Sequence, residues 1–332
     1  MDITRVAPDS VDLDLAELLA GIDRDSLEHA GLEVPPPTGP SRMTSLRHGN
    51  NGRPVDALWV AGPLDRPVGW SLVELPFLDN TSMAMLRGNV HPAHRGAGLG
   101  SRLLEEAVAF AREQGRTAMA GGAWAGTDGI GFLDARGFTT AGQHVNAVRR
   151  LDVHEGADRF DRLYDEAARA ADDYELLHLA GRAPEEMVAD LVELHAAIND
   201  APADDGREPD VWDAERVRSY DESMARRHQT TYRVLARHVP TGEWAGMSLL
   251  CVDEFSPAVA FQEDTSVVRA HRGKRLGLLM KCDMLRWLGA ERPEVSATDT
   301  WNATDNHHMI AVNERLGCRV IAHHVGYRRE LS

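Results

Sequence analysis

Two hydrophobic periods share this chain and alternate along it in a repeated order. Short apolar runs bounded by turn residues predict strands at 57–62, 68–75 and 82–90. A helical period takes over at 101–115, where Leu103, Leu104, Val108 and Ala111 share one stripe and Gly115 closes the helix. A strand at 117–122, a short helix near 129–137 and strands around 144–153 complete a first block. The second block opens with amphipathic helices at 183–200 and 213–227, then strands at 231–239, 244–253 and 258–268. A helix at 276–291, a strand at 294–301, a helix at 306–317 and a closing strand pair at 318–331 follow. The stretch 153–182 is acidic and Ala-rich and reads as a linker helix plus the first strand of the second block. Polar loops are expected at 31–42, where Pro35 to Pro37 bar regular structure, and at 201–210.

The blocks are copies. Arg95 and Arg272 stand 177 residues apart, as do Gly100 and Gly277, Gly69 and Gly246, Ser71 and Ser248, and Leu72 and Leu249. Farther on, Gly137 and Gly317 match at 180. A nearly constant offset over three separate motifs marks a duplicated domain.

In each copy a strand runs through a glycine loop into a helix: "VHPAHRGAGLGSRLL" from Val90 and "VRAHRGKRLGLLMK" from Val268. Such a loop turns free amides and the positive end of a helix dipole toward one point, which binds an anion without net positive charge. Bare glycine backbone lets a diphosphate come close. A P-loop needs Lys-Ser/Thr where Gly100 is followed by Ser101 and Arg102, and a dinucleotide fingerprint counted from Gly96 meets Ser101 at its last glycine. What remains is Arg-x-x-Gly-x-Gly, written as Arg95, Gly98 and Gly100, with Val90 and Pro92 ahead of it.

On these residues the chain resembles the GCN5-related N-acetyltransferases (GNAT), whose signature V-x-P-x-x-R-G-x-G-x-G is matched at every fixed position from Val90 to Gly100. The resemblance covers residues 1–152 and again 175–332, and the tandem arrangement looks like the mycothiol synthase type. It implies an α/β (α+β) fold of tandem GNAT domains, each a mixed, mostly antiparallel twisted sheet flanked by helices. The domains would span 1–155 and 176–332, with a linker at 156–175. It also implies that acetyl-CoA is held in the first copy by Val90, Arg95, Gly96, Ala97, Gly98, Leu99, Gly100 and Ser101. In the second copy the corresponding residues are Val267, Val268, Arg272, Gly273, Lys274, Arg275, Leu276, Gly277 and Asn306. The cofactor arm would lie where the strand ending at Val90, or at Val267, splays from its neighbour. In the family a tyrosine seven residues after the asparagine is often the general acid.

The copies depart from that pattern in different places. The first has Gly126 and Leu133 at the asparagine and tyrosine positions, and Ala84, Leu86 and Gly88 where a base would stand. The second has Arg275 for the central glycine and Arg269 for the proline; it keeps Asn306, and its tyrosine position is Asn313. Its strand carries Glu263, on the same face as Val267 if side chains alternate regularly. A glutamate on this strand acts as general base in the family, and here it stands two residues nearer the loop than usual. An ammonium must lose a proton before its nitrogen attacks a thioester, so a base of near-neutral pKa assists. The resemblance therefore implies catalysis in the second copy, with Glu263 as base and Asn313 hydrogen-bonding the departing sulfur. Asp264, Thr265 and Asp299 are candidates for lining the acceptor pocket. The first copy is then cofactor-competent or purely structural. Arg275 has two readings. It swings outward and adds charge beside Arg272 and Lys274, or it fills the loop, blocks the cofactor and reverses the roles of the copies.

Composition narrows the partners. The 332 residues hold 36 Lys and Arg against 52 Asp and Glu, for a net charge of -16. That excess of acid opposes a nucleic-acid partner, a charged tRNA donor included, and suits a cationic small-molecule amine. Cys251, Cys282 and Cys318 build no disulfide framework and fit a reducing cytoplasm. None is placed as an acyl acceptor, so direct transfer in a ternary complex is expected. No run approaches the roughly 20 apolar residues of a membrane span, and no signal peptide is visible at the start. The adjacent pairs His307–His308 and His323–His324 lack supporting Cys or carboxylate spacing, so no metal is expected. The sequence reads as a cytoplasmic acetyl-CoA-dependent N-acetyltransferase, a monomeric pseudo-dimer or a homodimer. The alternative is a non-catalytic acetyl-CoA sensor or partner-binding module.

Overall fold

The computed structural model describes residues 1–49, 52–200 and 208–331, without the side chains of 141–144, 199 and 200. The polar loop expected at 201–210 lies mostly outside the described residues. The chain divides into two compact units. Unit 1 is Met1–Asn146, Asp204–Glu208 and Ile321–Ser332, and unit 2 is Ala147–Ala203 with Pro209–Val320.

Unit 1 begins with β1 (Ile3–Val6), α1 (Leu13–His29) and α2 (Gly39–His48). Asp12 caps α1 by accepting from the Leu15 N–H at 2.9 Å, and Thr38 caps α2 through the Ser41 N–H. The second helix therefore starts inside the loop expected at 31–42, just beyond its prolines. Next come β2 (Ala57–Ala61), β3 (Gly69–Glu74), β4 (Met83–Val90), α3 (Leu99–Glu113), β5 (Ala118–Trp124), α4 (Asp128–Asp134) and β6 (Thr139–Asp152). The sheet of this unit runs β1-β2-β3-β4-β5 and ends on β12 (Arg319–Glu330). Alternation along β2 divides the core. Ala57, Trp59 and Ala61 pack with α3, and Leu58 and Val60 pack with α1 and α2.

Unit 2 holds α5 (Ala157–Ala168), β7 (Tyr174–Ala180), α6 (Val188–Ala196), α7 (Ala214–Arg226), β8 (Gln229–His238), β9 (Trp244–Asp253) and β10 (Val259–Val267). Helix α8 (Leu276–Glu291), β11 (Ala297–Ala303) and α9 (His307–Leu316) complete it. Its sheet runs from β6 through β11, β10, β9 and β8 to β7. On β9, Leu250 and Val252 face the cluster of α5 and α8, while Met247 faces that of α6 and α7. Each half is thus a mixed, mostly antiparallel sheet between helices, the architecture expected from the sequence.

Two boundaries differ from expectation. The stretch expected to be a linker, 156–175, is core: Phe160 of α5 is 2% exposed, Ala167 is fully buried, and α5 lies along α8. Fully burying an aromatic ring of that size contributes about 1.5–3 kcal/mol, more than a linker helix would have to gain. The last strands are also exchanged. Residues 147–152 of β6 lie in unit 2, where the Val153 N–H donates to the Ser296 carbonyl at 2.9 Å. The closing segment forms the single strand β12 rather than a pair, and its residues from Ile321 on belong to unit 1.

Candidate active site

The two glycine loops fold alike. In unit 1, Gly98 is the N-cap of α3 in the left-handed region, with φ +78° and ψ 0°. In unit 2 the same post before α8 is held by Arg275, with φ 57° and ψ 20°. A non-glycine residue there costs on the order of 1 kcal/mol. Neither helix has a side-chain cap, so the first amides of α3 and α8 face outward without a partner of that kind. A Cβ built on Gly96, Gly98 or Gly273 meets nothing within 4 Å, so the ground before both loops is open. These are the features a pyrophosphate requires.

The signature arginines brace the loops. Arg95 Nε–H donates to the Val90 carbonyl at 3.0 Å, and Arg272 Nε–H donates to the Val267 carbonyl at 3.0 Å. Arg95 also reaches Asp128 and Ser26 through its other nitrogens, so its guanidinium is largely committed within unit 1. Arg136, which the sequence did not single out, donates to Ser101 Oγ and brings a further cation to the start of α3. Arg275 turns away from its loop to an ion pair with Glu166 on α5, which Arg315 also contacts at 2.8 Å.

Strand β10 carries the main departure from regularity. It pairs with β9 through Gln262↔Leu250 and next through Thr265↔Ser248, so Glu263 and Asp264 together oppose Leu249 alone. This is a β-bulge, which lifts its residues out of the ladder and re-aims their side chains. The parallel pairing of β10 with β11 runs from Val259 to Gln262 and stops at the same point, where the two strands part. The bulge overturns the regular alternation expected here. Val267 pairs with Gly246 on the α5–α8 side, whereas Glu263 lies within electrostatic reach of Tyr220 on α7 and of Cys251. Thr265 lies with Val267 on the α5–α8 side, across the sheet from Glu263. Its Oγ1 is 2.9 Å from Ser248 Oγ, and its methyl lies near Gly277 of α8.

Half-buried Glu263 and Asp264 are both hard to ionise. Burial raises the Glu263 carboxyl to about 7, helped by the negative charge of Asp264 and opposed by Arg227. Burial raises Asp264 to about 6, helped by Asp210. Around them stand residues that sequence reading did not single out. Tyr220 Oη lies 3.8 Å from Cys251 Sγ. The Trp212 ring centroid is 6.1 Å from Tyr220 and stacks on His195 at 4.0 Å. His195 is pushed down to about 3 by burial and by Arg233 and Arg216, so it stays neutral. Beneath them, fully buried Arg233 is ion-paired with Asp221.

Three expected site residues have bonds within unit 2. Asn313 is fully buried; its Nδ2–H donates to Asn302 Oδ1 at 2.6 Å and its Oδ1 accepts from Lys281 Nζ at 3.0 Å. It is held in the core of unit 2 rather than at an open site. Asp299 is 4% exposed and held by Arg150 in a two-point ion pair, each contact 2.7 Å, so it does not line an acceptor pocket. Asn306 caps α9, its Oδ1 accepting from the Met309 N–H at 3.2 Å. Among the described residues no group of three or more His, Cys, Asp or Glu is placed to hold a metal, and no helix is long and apolar enough to cross a membrane.

Comparison with known proteins agrees with this geometry. Residues 27–138 match the acetyltransferase (GNAT) family. The chain is similar to a tandem GNAT protein from the clavulanic acid biosynthesis pathway, with 26% identity and a TM-score of 0.81 over 100% of this chain and 98% of that one. It also shares its fold with a GCN5-related N-acetyltransferase from Sphaerobacter thermophilus, at 15% identity and a TM-score of 0.69 over 99% and 96% of the two chains. A GCN5-related glucosamine N-acetyltransferase region of a fungal β-N-acetylglucosaminidase matches at 14% identity and a TM-score of 0.64, over 98% of this chain and 38% of that one. No curated protein sequence matches significantly.

Proposed function

Because this chain is a tandem protein of GNAT fold, with an acetyltransferase (GNAT) family domain at residues 27–138, we propose that it is an acetyl-CoA-dependent N-acetyltransferase whose chemistry resides in unit 2. The observation that carries this reading is the bulge that presents Glu263, raised to about 7, where β10 parts from β11. The cofactor is held by the open amides at the start of α8, with Arg272, Gly273 and Lys274 before them. It supplies an acetyl group activated as a thioester.

The other tasks fall to this chain. Glu263 takes the proton from the acceptor ammonium; a carboxylate of near-neutral pKa is ionised often enough to accept it and basic enough to pull. Backbone N–H groups of β10 beyond Gln262, where its pairing with β11 has ended, are the donors for negative charge developing on an acyl oxygen. The α6–α7 side of the sheet receives the acceptor, a small-molecule amine, in keeping with the net charge of -16. Unit 1, with its glycine loop intact and no carboxylate at Leu86, binds the cofactor without reacting.

Calorimetric titration with acetyl-CoA tests the assignment. The expected result is two sites, one weakened by Arg272→Ala and the other by Arg95→Ala, with turnover of a primary amine tracking only the first. Turnover that follows Arg95 would move the chemistry to unit 1. Cofactor binding with no turnover across a panel of amines would leave a sensor in place of an enzyme.

A further inference from the structure

The bulged strand pair of unit 2 corresponds residue by residue to an unbroken pair in unit 1, because the offset of 177 holds along both strands. Beyond the bulge the pairings coincide. Gly69↔Val90 and Ser71↔Gly88 in unit 1 become Gly246↔Val267 and Ser248↔Thr265 in unit 2. Before it they differ by one residue. Met85 faces Glu74, whereas Gln262, which stands in its place, faces Leu250 and not Cys251. A slip of one residue turns side chains over to the opposite face. Ala260 therefore packs on the α5–α8 side, and Glu263 goes to the other.

Gln262 closes this slip from within. It is 7% exposed, and its Nε2 donates at 2.6 Å to the carbonyl of Leu249, the residue that Glu263 and Asp264 oppose together. The same Nε2 lies 3.3 Å from Ser248 Oγ and 3.5 Å from Thr265 Oγ1, and those two oxygens are 2.9 Å apart. One buried amide thus ties the residue before the bulge to the residue after it and to the strand opposite. A buried amide that lost these acceptors would be left unpaired, so the bonds hold β10 in the slipped register.

Unit 1 lacks both parts that β10 supplies. Met85 has no N–H to donate, and Gly88 stands where Thr265 does. A Cβ at Gly88 would come within 2.9 Å of the Trp70 carbonyl, so a threonine does not fit the unbroken ladder. Glutamine and threonine go with the bulge, methionine and glycine with regular pairing.

We propose that Gln262 is a positioning residue of unit 2, which with Ser248 and Thr265 staples the bulge and so holds Glu263 on the α6–α7 side of the sheet. Its part in catalysis rests on the reading of Glu263 as the base.

The test gives Gln262 its unit 1 counterpart, Gln262→Met, in the full-length protein, and reads Glu263 directly. With the glutamate carboxyls isotope-labelled for NMR, the one that titrates near 7 is identified by its loss in Glu263→Gln. In Gln262→Met that titration should move by at least about half a pH unit. There kcat should fall roughly tenfold or more, with acetyl-CoA affinity kept within about twofold. Adding Gln262→Met to Glu263→Gln should slow the enzyme no further, since a misplaced base and an absent base are the same loss. Thr265→Val keeps the shape and removes one acceptor; it should shift the titration the same way by less, and it carries the test if Gln262→Met does not fold. Three results would overturn the proposal: a titration that neither substitution moves, a kcat that Gln262→Met leaves intact while Glu263→Gln lowers it, or rate losses that multiply in the double variant. Turnover separates the staple from the reading beneath it. A titration that moves, in a protein whose turnover is untouched by Glu263→Gln or absent on every amine, keeps the staple and removes Glu263 as the base.

Discussion

Strands β4 and β10 stand at the same place in the two units, and one added residue separates them. In unit 1, β3 and β4 pair without a break from Gly69↔Val90 to Glu74↔Met85. Leu86 and Arg87 each have a partner there, and Arg87 reaches Glu74 at 3.0 Å. The helix side of the strand is filled from within. Asn89 donates to Asp23 at 3.0 Å, Ser26 donates to Asn89, and Arg42 is ion-paired with Asp23. In unit 2, residues 177 positions later are carboxylates on a bulge. The loops show the opposite bias, with glycine before α3 and arginine before α8. Under the proposed function each half keeps a different part of the machinery, the unstrained cradle in one and the raised carboxylate in the other.

The harshest test of that contrast is Glu263→Gln. It keeps the shape and removes the base, so kcat should fall by roughly 10²-fold or more while acetyl-CoA affinity stays within about twofold. In the parent enzyme the rate should rise with pH through about 7, the carboxyl value of Glu263, and the variant should lose that limb. Leu86→Glu in the Glu263→Gln background should restore nothing, because the register at Leu86 is continuous and no bulge presents the new side chain. Unchanged turnover in Glu263→Gln would remove Glu263 as the base.

Next in size is Asn313→Ala, which tests whether the residue at the family's tyrosine position acts on the reaction or on the fold. The substitution strands Lys281 Nζ and Asn302 Oδ1 inside unit 2. A loss of about 1–3 kcal/mol in unfolding free energy is expected, with kcat per folded molecule little changed. A large fall in kcat with stability intact would return Asn313 to the active site.

What the sequence disclosed follows from the kind of signal each feature leaves. The loops were legible because they need particular residues at fixed spacing, and Val90, Arg95, Gly98 and Gly100 announce themselves. Glu263 became a candidate through the family resemblance, as a glutamate on the strand that leads into the second loop. The resemblance implied a bulge on the cofactor strand but not its position, because that is a matter of counting against a partner strand, and neither Glu263 nor Asp264 is a residue that bulges demand. Regular alternation therefore put Glu263 on the face of Val267, and that placement fails, whereas Thr265 does share the face of Val267. The exchanged strands were equally silent, since the apolar run at 144–153 and that at 318–331 suit either sheet. Trp212 and Tyr220 stand close in sequence, and the packing of α6 against α7 brings His195 to them.

A third effect concerns stability. Glu263 is pushed up from 4.5 to about 7, so the folded chain prefers its protonated form. The stabilisation this brings is complete below the ordinary carboxyl value and is lost as pH rises through about 7. Glu263→Gln should therefore raise Tm by roughly 2–4 °C at pH 8.5 and by less at pH 5. A gain equal at both pH values would mean that the carboxyl does not titrate near 7.

The smallest effect is the most direct probe of the other half of the contrast. Arg275→Gly gives unit 2 the loop of unit 1. It removes left-handed strain of on the order of 1 kcal/mol and also an exposed ion pair to Glu166 worth about as much or less. Stability should change by under about 1 kcal/mol in either direction. Because Arg275 is drawn toward Glu166, away from the amides of Leu276 and Gly277, acetyl-CoA affinity at unit 2 should stay within about threefold. A tenfold loss would mean that the arginine leaves Glu166 to meet the cofactor's phosphates, so that unit 2 offsets its strained cradle with charge. A tenfold gain would mean that its side chain obstructs the loop, and that unit 2 keeps its base at the expense of its grip on the cofactor.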